Sequence, residues 1–293
     1  MFTVVIPLFN KELSIKDTID SVLKQTYQKF EIIVINDGST DSSTKIVESI
    51  DDDRVRVIHQ KNQGVSAARN RGIKEASYEW IAFLDGDDLW EINHLKEIYK
   101  MMVTFPNEKV YVTSFKFSNN KKLFKHPRLA NIFKIENYFK EAIKEHLIWT
   151  SVVVVHRSCF DKIGGFDISL TNGEDLALWA KLASSFIIVK SCKITAIYRV
   201  EAENRTNLNR QVEKTHVFHF KLNTVLNDDE RKYYEYLILS RLYSYSRVMD
   251  LKNVFKLKNR HPEISWSDFL LFSIKTMEKS FRRRFHNIKV KLS

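Results

Sequence analysis

Glycine and proline are scarce in this 293-residue chain, with 7 and 4 residues respectively. That scarcity excludes a long flexible linker or a low-complexity tract, and no internal repeat is visible. Cysteine is scarcer still. Cys159 and Cys192 form no metal-spaced pair; a single disulfide stays open, although a reducing cytosol suits two isolated thiols better. No uninterrupted apolar run approaches the roughly 18–20 residues that cross a bilayer. The amino terminus lacks the basic stretch and small-residue cleavage site of a secretory signal. Its apolar run stops at Asn10-Lys11-Glu12, as a buried strand would. The glycine patterns of a P-loop and of a dinucleotide fold are absent. So is the Gly-rich, basic phosphate loop that a sugar-phosphate nucleotidyltransferase needs after its first strand: Pro7-Leu8-Phe9-Asn10-Lys11 stands there instead.

What is present is 44% hydrophobic residues, enough for one large α/β domain and a smaller appendage. The net charge is +11, and its distribution is uneven. Residues 251–293 hold 11 Lys/Arg against 3 Asp/Glu, so most of the excess sits in the tail. A basic tail suits anionic lipid or nucleic acid.

The first hundred residues alternate two periods. Apolar runs at 4–8, 30–35, 55–58 and 80–84 predict strands; helical spacing at 12–25 (Ile15, Ile19, Val22, Leu23) and 64–76 predicts helices between them. Thr40 or Asp41 is placed to cap a further helix. Continuously apolar strands separated by helices imply a parallel sheet covered on both faces. Ligands of such sheets bind beyond the carboxyl ends of the strands. Further on, strands are expected at 109–117, 149–156, 186–190 and 193–199. A helix over 173–184 would bury Leu176, Leu178, Trp179 and Leu182, and the pattern is helical beyond about residue 208.

The polar clusters fall at those strand ends. Asp85-Gly86-Asp87-Asp88 places three carboxylates in four residues. They repel unless a cation neutralises them, and hard divalent ions take such oxygen ligands while bridging to phosphate. A solvated acidic turn would have the same composition, but this one directly follows a buried strand. Asn36-Asp37-Gly38-Ser39-Thr40-Asp41 serves equally as a turn and cap. In Gly64-Val65-Ser66-Ala67-Ala68-Arg69-Asn70-Arg71-Gly72, Arg69 and Arg71 offer guanidinium forks to phosphate or carboxylate, unless they simply form a solvated helix face. Glu174 and Asp175 open the helix at 173–184. They either complement its dipole or place a general base beside an acceptor hydroxyl.

Taken in order, Val5-Ile6-Pro7-Leu8-Phe9-Asn10, Asn36-Asp37-Gly38-Ser39-Thr40-Asp41, Gly64 to Asn70, Phe83-Leu84-Asp85-Gly86-Asp87-Asp88, Gly164-Gly165-Phe166-Asp167 and Gly173-Glu174-Asp175-Leu176 resemble the family 2 glycosyltransferases of the GT-A fold. The resemblance covers residues 1 to about 205. It implies a Rossmann-like, mostly parallel central sheet with helices on both faces, followed by a helical extension over 206–293. It also implies an inverting, single-displacement transfer from a nucleotide-diphosphate sugar, most often a UDP-sugar, to a saccharide or lipid-linked saccharide acceptor, with Mn²⁺ or Mg²⁺ as cofactor. Carried onto this chain, Pro7, Phe9 and Asn10 line the base pocket and Asp37 bonds the uracil. Arg69 or Arg71 helps order the nucleotide. Asp85 meets the ribose or a metal-bound water, Asp87 ligates the metal, and Asp88 is a lesser ligand. Asp175 is the base, with Glu174 orienting the acceptor or sharing that role. Arg199 meets phosphate. One departure stands out: Tyr198-Arg199-Val200-Glu201 has Glu where relatives often carry His. Asn204-Arg205-Thr206 forms a glycosylation sequon, read here as chance.

In the tail, Trp266, Phe269, Leu270, Leu271, Phe272 and Ile274 precede Lys275, Lys279, Arg282, Arg283, Arg284, Lys289 and Lys291, interleaved with Met277, Phe281 and Phe285. An amphipathic basic helix of this kind rests on an anionic membrane surface, unless it packs on the catalytic domain with its basic face outward. The expectation is a cytoplasmic protein, peripheral on the inner face of the cell membrane, in bacterial polysaccharide, O-antigen or capsule assembly. No nucleic-acid reader motif is present. The competing reading is a non-catalytic nucleotide-sugar binder or membrane scaffold.

Overall fold

A run such as Phe2-Thr3-Val4-Val5-Ile6-Pro7-Leu8 offers no polar side to water, so it is stable only between two covering layers. In the computed structural model it forms strand β1 (Phe2–Leu8), buried along nearly its whole length. The structure describes residues 1–119, 131–204, 211–225 and 227–278. It divides into two units, Met1–Asn209 and Arg210–Ser293.

In the first unit β1 leads to α1 (Ile15–Leu23), β2 (Phe30–Asn36), α2 (Ser43–Glu48), β3 (Val55–His59), α3 (Val65–Glu75) and β4 (Trp80–Phe83). These are the alternations the periodicity predicts. The chain continues through β5 (Leu89–Trp90), α4 (His94–Thr104), β6 (Val110–Phe117), β7 (Ile132–Lys134), α5 (Tyr138–Ala142), a 3₁₀ turn at Thr150–Val152, β8 (Val153–His156), α6 (Ser158–Ile163), α7 (Glu174–Ser185) and β9 (Ile188–Tyr198). The strands among the described residues make one nine-stranded sheet in the order β3-β2-β1-β4-β8-β6-β9-β5, with β7 paired to β9. It is parallel from β3 to β4. Beyond β4 it is mixed, because β8 runs against both its neighbours and β5 and β7 run against β9.

Alternation along β1 assigns the two faces. Phe2, Val4, Ile6 and Leu8 share a core with Ile15, Ile19 and Val22 of α1, Val47 of α2, and Leu95, Ile98 and Met101 of α4. Val5 points the other way, to α3. There Gly72 is required, since a Cβ would stand 2.2 Å from Val5 Cγ1. Phe83 is paired with Val5 in the register and packs edge-on against Phe160 of α6 and against Phe166; Phe166 packs in turn against Trp179 of α7. Helices therefore cover both faces, as expected for a GT-A sheet.

Three details differ from the sequence reading. The strands expected at 186–190 and 193–199 are one strand, β9. Val112 pairs with Lys190 and Ser114 with Ile194, so Ser191, Cys192 and Lys193 bulge from the ladder without ending it. The strand expected from 149 starts only at Val153, after the 3₁₀ turn. β5, at two residues, is too short to show as a pattern. Cys159 and Cys192 are free thiols.

The second unit comprises α8 (His216–His219), α9 (Asp228–Arg247), α10 (Leu251–Arg260) and a helix over 266–278. Asn227 caps α9 by accepting from Asp229 N and Glu230 N. Val217, Leu222, Ile238, Leu242, Tyr245, Val254 and Leu257 form a separate core. Lys279, Phe281, Arg282, Arg283, Arg284, Phe285, Lys289 and Lys291 lie outside the described residues. No helix among the described residues is long and apolar enough to cross a membrane.

Candidate functional site

The parallel strands deliver their carboxyl ends to one rim, and the loops there are sewn together. Asn10 adopts a positive φ of 50°. Its Oδ1 accepts from Thr40 N at 2.8 Å, and Asn10 N donates to Ser39 Oγ at 3.2 Å. Phe9 is exposed and Pro7 half-buried. The Pro7 carbonyl lies 3.0 Å from where a Cβ of Gly86 would sit, so glycine spares the acidic turn a tight contact with the first loop. Asp37 is buried. Its carboxylate accepts from Gln60 Nε2 (2.8 Å), Gln63 N (2.9 Å) and Gly64 N (2.8 Å), fixing the approach to α3.

Arg69 occupies the centre of the site. Helical phase places it with Gly72 and Ile73, at i+3 and i+4, on the inward face of α3, and it is 4% exposed. Nη2 lies 2.7 Å from Asp85 Oδ1 and Nη1 lies 3.1 Å from Glu174 Oε1. The guanidinium stands over the Phe166 ring at 5.1 Å, and Asn70 fixes Phe166 by bonding both its N and its O at 2.8 Å. Arg69 Nε is buried without a hydrogen-bond partner. Arg71 is not brought to this site. It pairs with Glu75 at 2.8 Å on the exposed face of α3, which removes it from the candidates; the helical phase of α3 was the signal that separates the two arginines.

The carboxylates of the acidic turn have different fates. Asp85 pairs with Arg69, and its N–H donates to Ser151 Oγ at 3.2 Å. Asp87 Oδ2 lies 2.6 Å from Lys11 Nζ. Asp88 is 1% exposed. It accepts from Ser151 Oγ at 2.6 Å and from Arg199 N at 3.2 Å. Burial, followed by the charges of Asp85 and Asp87, holds its carboxyl well above the usual range. Its two oxygens are thus taken up by the 3₁₀ turn before β8 and by the backbone just after β9, which makes Asp88 the least accessible carboxyl of the turn and the weakest candidate ligand.

Across the site, Glu174 and Asp175 start α7 behind Gly173. Burial pushes the Asp175 carboxyl up to about 7 and the Glu174 charge pushes the same way, against Arg69 and the hydrogen bond from Leu176 N at 2.8 Å. Asp85 also acts on it, so the two acidic motifs share one electrostatic neighbourhood. Arg199 does not present a free fork. It donates to Asp87 O, to Ser14 O at 2.9 Å and to Thr18 Oγ1 at 3.2 Å, and pairs with Asp17 at 3.3 Å. Glu201 accepts from Ser118 Oγ. Asn204 of the sequon donates to Phe9 O at 3.1 Å, and Thr206 lies outside the described residues.

Lys11 and Ser151 meet the acidic turn although no local pattern announces them, whereas Asn70 and Phe166 lie in recognised motifs whose contacts only the fold shows. Lys11 meets Asp87 across 76 residues and Ser151 meets Asp88 across 63. Among the described residues no group of three or more His, Cys, Asp or Glu side chains is arranged to hold a metal by itself.

The profile of glycosyl transferase family 2 matches residues 3–164. An uncharacterized glycosyltransferase of Rickettsia bellii is 31% identical over 211 residues, 71% of this chain and 30% of its own length. Glycosyltransferase GlyA of Streptococcus pneumoniae is 33% identical over 150 residues, 50% of this chain and 22% of its own length. The chain thus spans less than a third of either relative. Two crystal structures of S. aureus TarS 1-349, one with UDP and one with UDP-GlcNAc, superpose with a TM-score of 0.61. Their identities are 18% and 20%, and the alignments cover 90% and 91% of this chain and 92% and 74% of theirs. At that identity the likeness shows a common fold.

Proposed function

Because the chain belongs to glycosyl transferase family 2, we propose that it is an inverting, metal-dependent enzyme moving a sugar from a UDP-sugar to an acceptor hydroxyl. The observation that carries this reading is the Arg69 bridge. One buried guanidinium joins Asp85 to Glu174, so the acidic turn after β4 and the acidic start of α7 border the same space.

Each residue then has a task. Pro7, Phe9 and Asn10 border the base pocket, with Asp37 behind them holding the loop before α3 in place. Asp175 Oδ1 accepts from Leu176 N, which leaves Oδ2 to take the acceptor's proton. A carboxyl titrating at about 7 is matched to that work near neutrality. The deprotonated oxygen attacks the anomeric carbon as the bond from that carbon to the diphosphate oxygen breaks. The electron pair departs with UDP, the proton stays on Asp175, and a single displacement inverts the centre. Glu174, fixed by Arg69, orients the acceptor beside the base.

The donor set fits a hard cation. Asp87, with Asp85 beside it, presents carboxylate oxygens, and one cation, the Lys11 ammonium, already stands 2.6 Å from Asp87. Mn²⁺ or Mg²⁺ takes few protein ligands at such sites and completes its shell with phosphate oxygens and water. When bound, the ion neutralises charge on the departing diphosphate. The test is calorimetric titration of UDP in Mn²⁺, alongside UDP release from a panel of UDP-sugars. Asp87→Ala should weaken Mn²⁺-supported UDP binding at least about 10–100-fold, the loss seen even for outer-shell partners of metals. Equal affinity in both proteins rejects the ligand role; no Mn²⁺-dependent binding in wild type rejects the donor site.

The same reading gives the enzyme a saccharide or lipid-linked acceptor in bacterial surface-polysaccharide assembly, at the inner face of the membrane. The helix over 266–278 supports it by exposing Trp266, Leu270, Leu271, Ile274 and Met277 next to Lys275. That helix carries one lysine against Asp268 and Glu278, and the basic cluster from Lys279 follows it in the sequence; an apolar stretch leading into a basic one suits an anionic lipid surface. Deleting residues 265–293 should abolish co-sedimentation with phosphatidylglycerol vesicles; unchanged pelleting gives the helix another role.

A further inference from the structure

Lys11 takes no part in the transfer chemistry, yet its ammonium stands in direct contact with Asp87. Its Nζ lies 2.6 Å from Asp87 Oδ2 and donates to Glu203 O at 2.5 Å and Asn204 O at 3.3 Å. All three donors of an ammonium are thereby engaged. The pair is largely shielded, with side-chain exposures of 12% for Lys11 and 17% for Asp87. The oxygens come from the acidic turn and from the segment after β9, a segment tied to the first loop by further bonds. Glu203 Oε1 accepts from Leu13 N at 3.1 Å and Ser14 Oγ at 2.7 Å, and Asn204 donates to Phe9 O.

This is a cation in a small shell of oxygens, on the carboxylate that the donor reading assigns to the metal. We infer that Lys11 is an internal counter-ion that holds Asp87 while the donor site is empty and exchanges it for the donor's diphosphate when a divalent ion arrives. The inference rests on the donor-site reading above. An ammonium and a divalent ion on one carboxylate oxygen repel each other strongly where water is scarce, so one displaces the other. Lysine suits the exchange because its charge is compact and its stem flexible. The released ammonium remains at the same rim, where a diphosphate is the nearest new anion of matching chemistry. In the donor-free protein the pair supplies a positive charge to a partly buried carboxylate.

Two measurements with opposite signs test this. The first titrates Mn²⁺ alone, without nucleotide, reading free Mn²⁺ by electron paramagnetic resonance. Lys11→Met should bind Mn²⁺ more tightly than wild type by about tenfold, the scale of one charge-assisted hydrogen bond removed from competition. The second titrates UDP at saturating Mn²⁺, where the same variant should bind about tenfold more weakly because a diphosphate contact is gone. Lys11→Arg keeps the charge and should stay near wild type in the first measurement. Lys11→Gln, which retains a donor for the Glu203 carbonyl, supplies the same comparison if Lys11→Met does not fold. Unchanged or weaker Mn²⁺ binding by the folded neutral variants overturns the exchange. The wild type alone decides the donor-site reading: if it binds no UDP at any Mn²⁺ concentration while the neutral variants still gain Mn²⁺ affinity, that reading fails and the competition for Asp87 stands.

Discussion

Asp175→Asn is expected to lower turnover about 10²–10⁴-fold, the range for losing a general base, while Mn²⁺-supported UDP affinity stays unchanged. The amide fills the same space but cannot accept the acceptor's proton. The pH dependence follows from the environment. Burial first, and the Glu174 charge second, raise the Asp175 carboxyl from its ordinary 3.8 to about 7. A base works deprotonated, so kcat/KM in wild type should fall below pH 7 and level off above it.

Stability carries the opposite sign. Between about pH 4 and pH 7 the folded chain keeps a proton that the unfolded chain has released, so stability declines as pH rises through that window. Above it, the native state holds a buried charge, which asparagine removes. Asp175→Asn should therefore melt above wild type at pH 8 and level with it at pH 4. A variant that keeps its turnover, or whose melting advantage does not grow with pH, removes Asp175 from this role.

Arg69→Met should be the most destabilising single change at the site. The guanidinium is buried against Asp85 and Glu174 and stacked over Phe166. Removing one partner of a buried ionic network leaves uncompensated charges and costs about 3–5 kcal/mol. In a unit of this size that is a fall of roughly 10 °C in Tm. Turnover should be lost with it, since Glu174 and Asp85 then have no common tether. The loss of a nearby positive charge should also move the inflection of any residual pH–rate profile upward. Arg69→Lys should fall between, because one ammonium cannot replace a planar fork that meets two carboxylates at once. Arg69→Met combined with Asp85→Asn and Glu174→Gln should recover much of the melting temperature, since no bare charge is left. Should Arg69→Met alone melt like wild type, the bridge is not what holds the two motifs together.

The strands β1 to β4, the helices between them and the rim position of Asp85 and Asp87 were all legible in the linear chain. So was the start of α7 at Glu174. These follow from the spacing of apolar side chains and the placing of turn residues, which act over a few positions. The phase of α3 also separates Arg69 from Arg71: Arg69 shares a face with buried Ile73, and Arg71 with Glu75. β9 was less legible, because the polar Ser191-Cys192-Lys193 looks like a break until β6 runs beside it and shows a bulge.

The chain by itself determined which residue types stand at the strand ends, and therefore that carboxylates would gather where a parallel sheet opens. It did not determine which counter-charge each carboxylate would meet. Only tertiary structure decided that Asp87 would take Lys11, that Arg69 would reach Glu174 across 105 residues, and that Asp88 would be closed in by Ser151. The reason is one of range. Apolar periodicity is written in neighbouring residues, whereas a charge near a protein rim is governed by whatever lies within a few ångströms, and those groups arrive from loops the chain lists far apart.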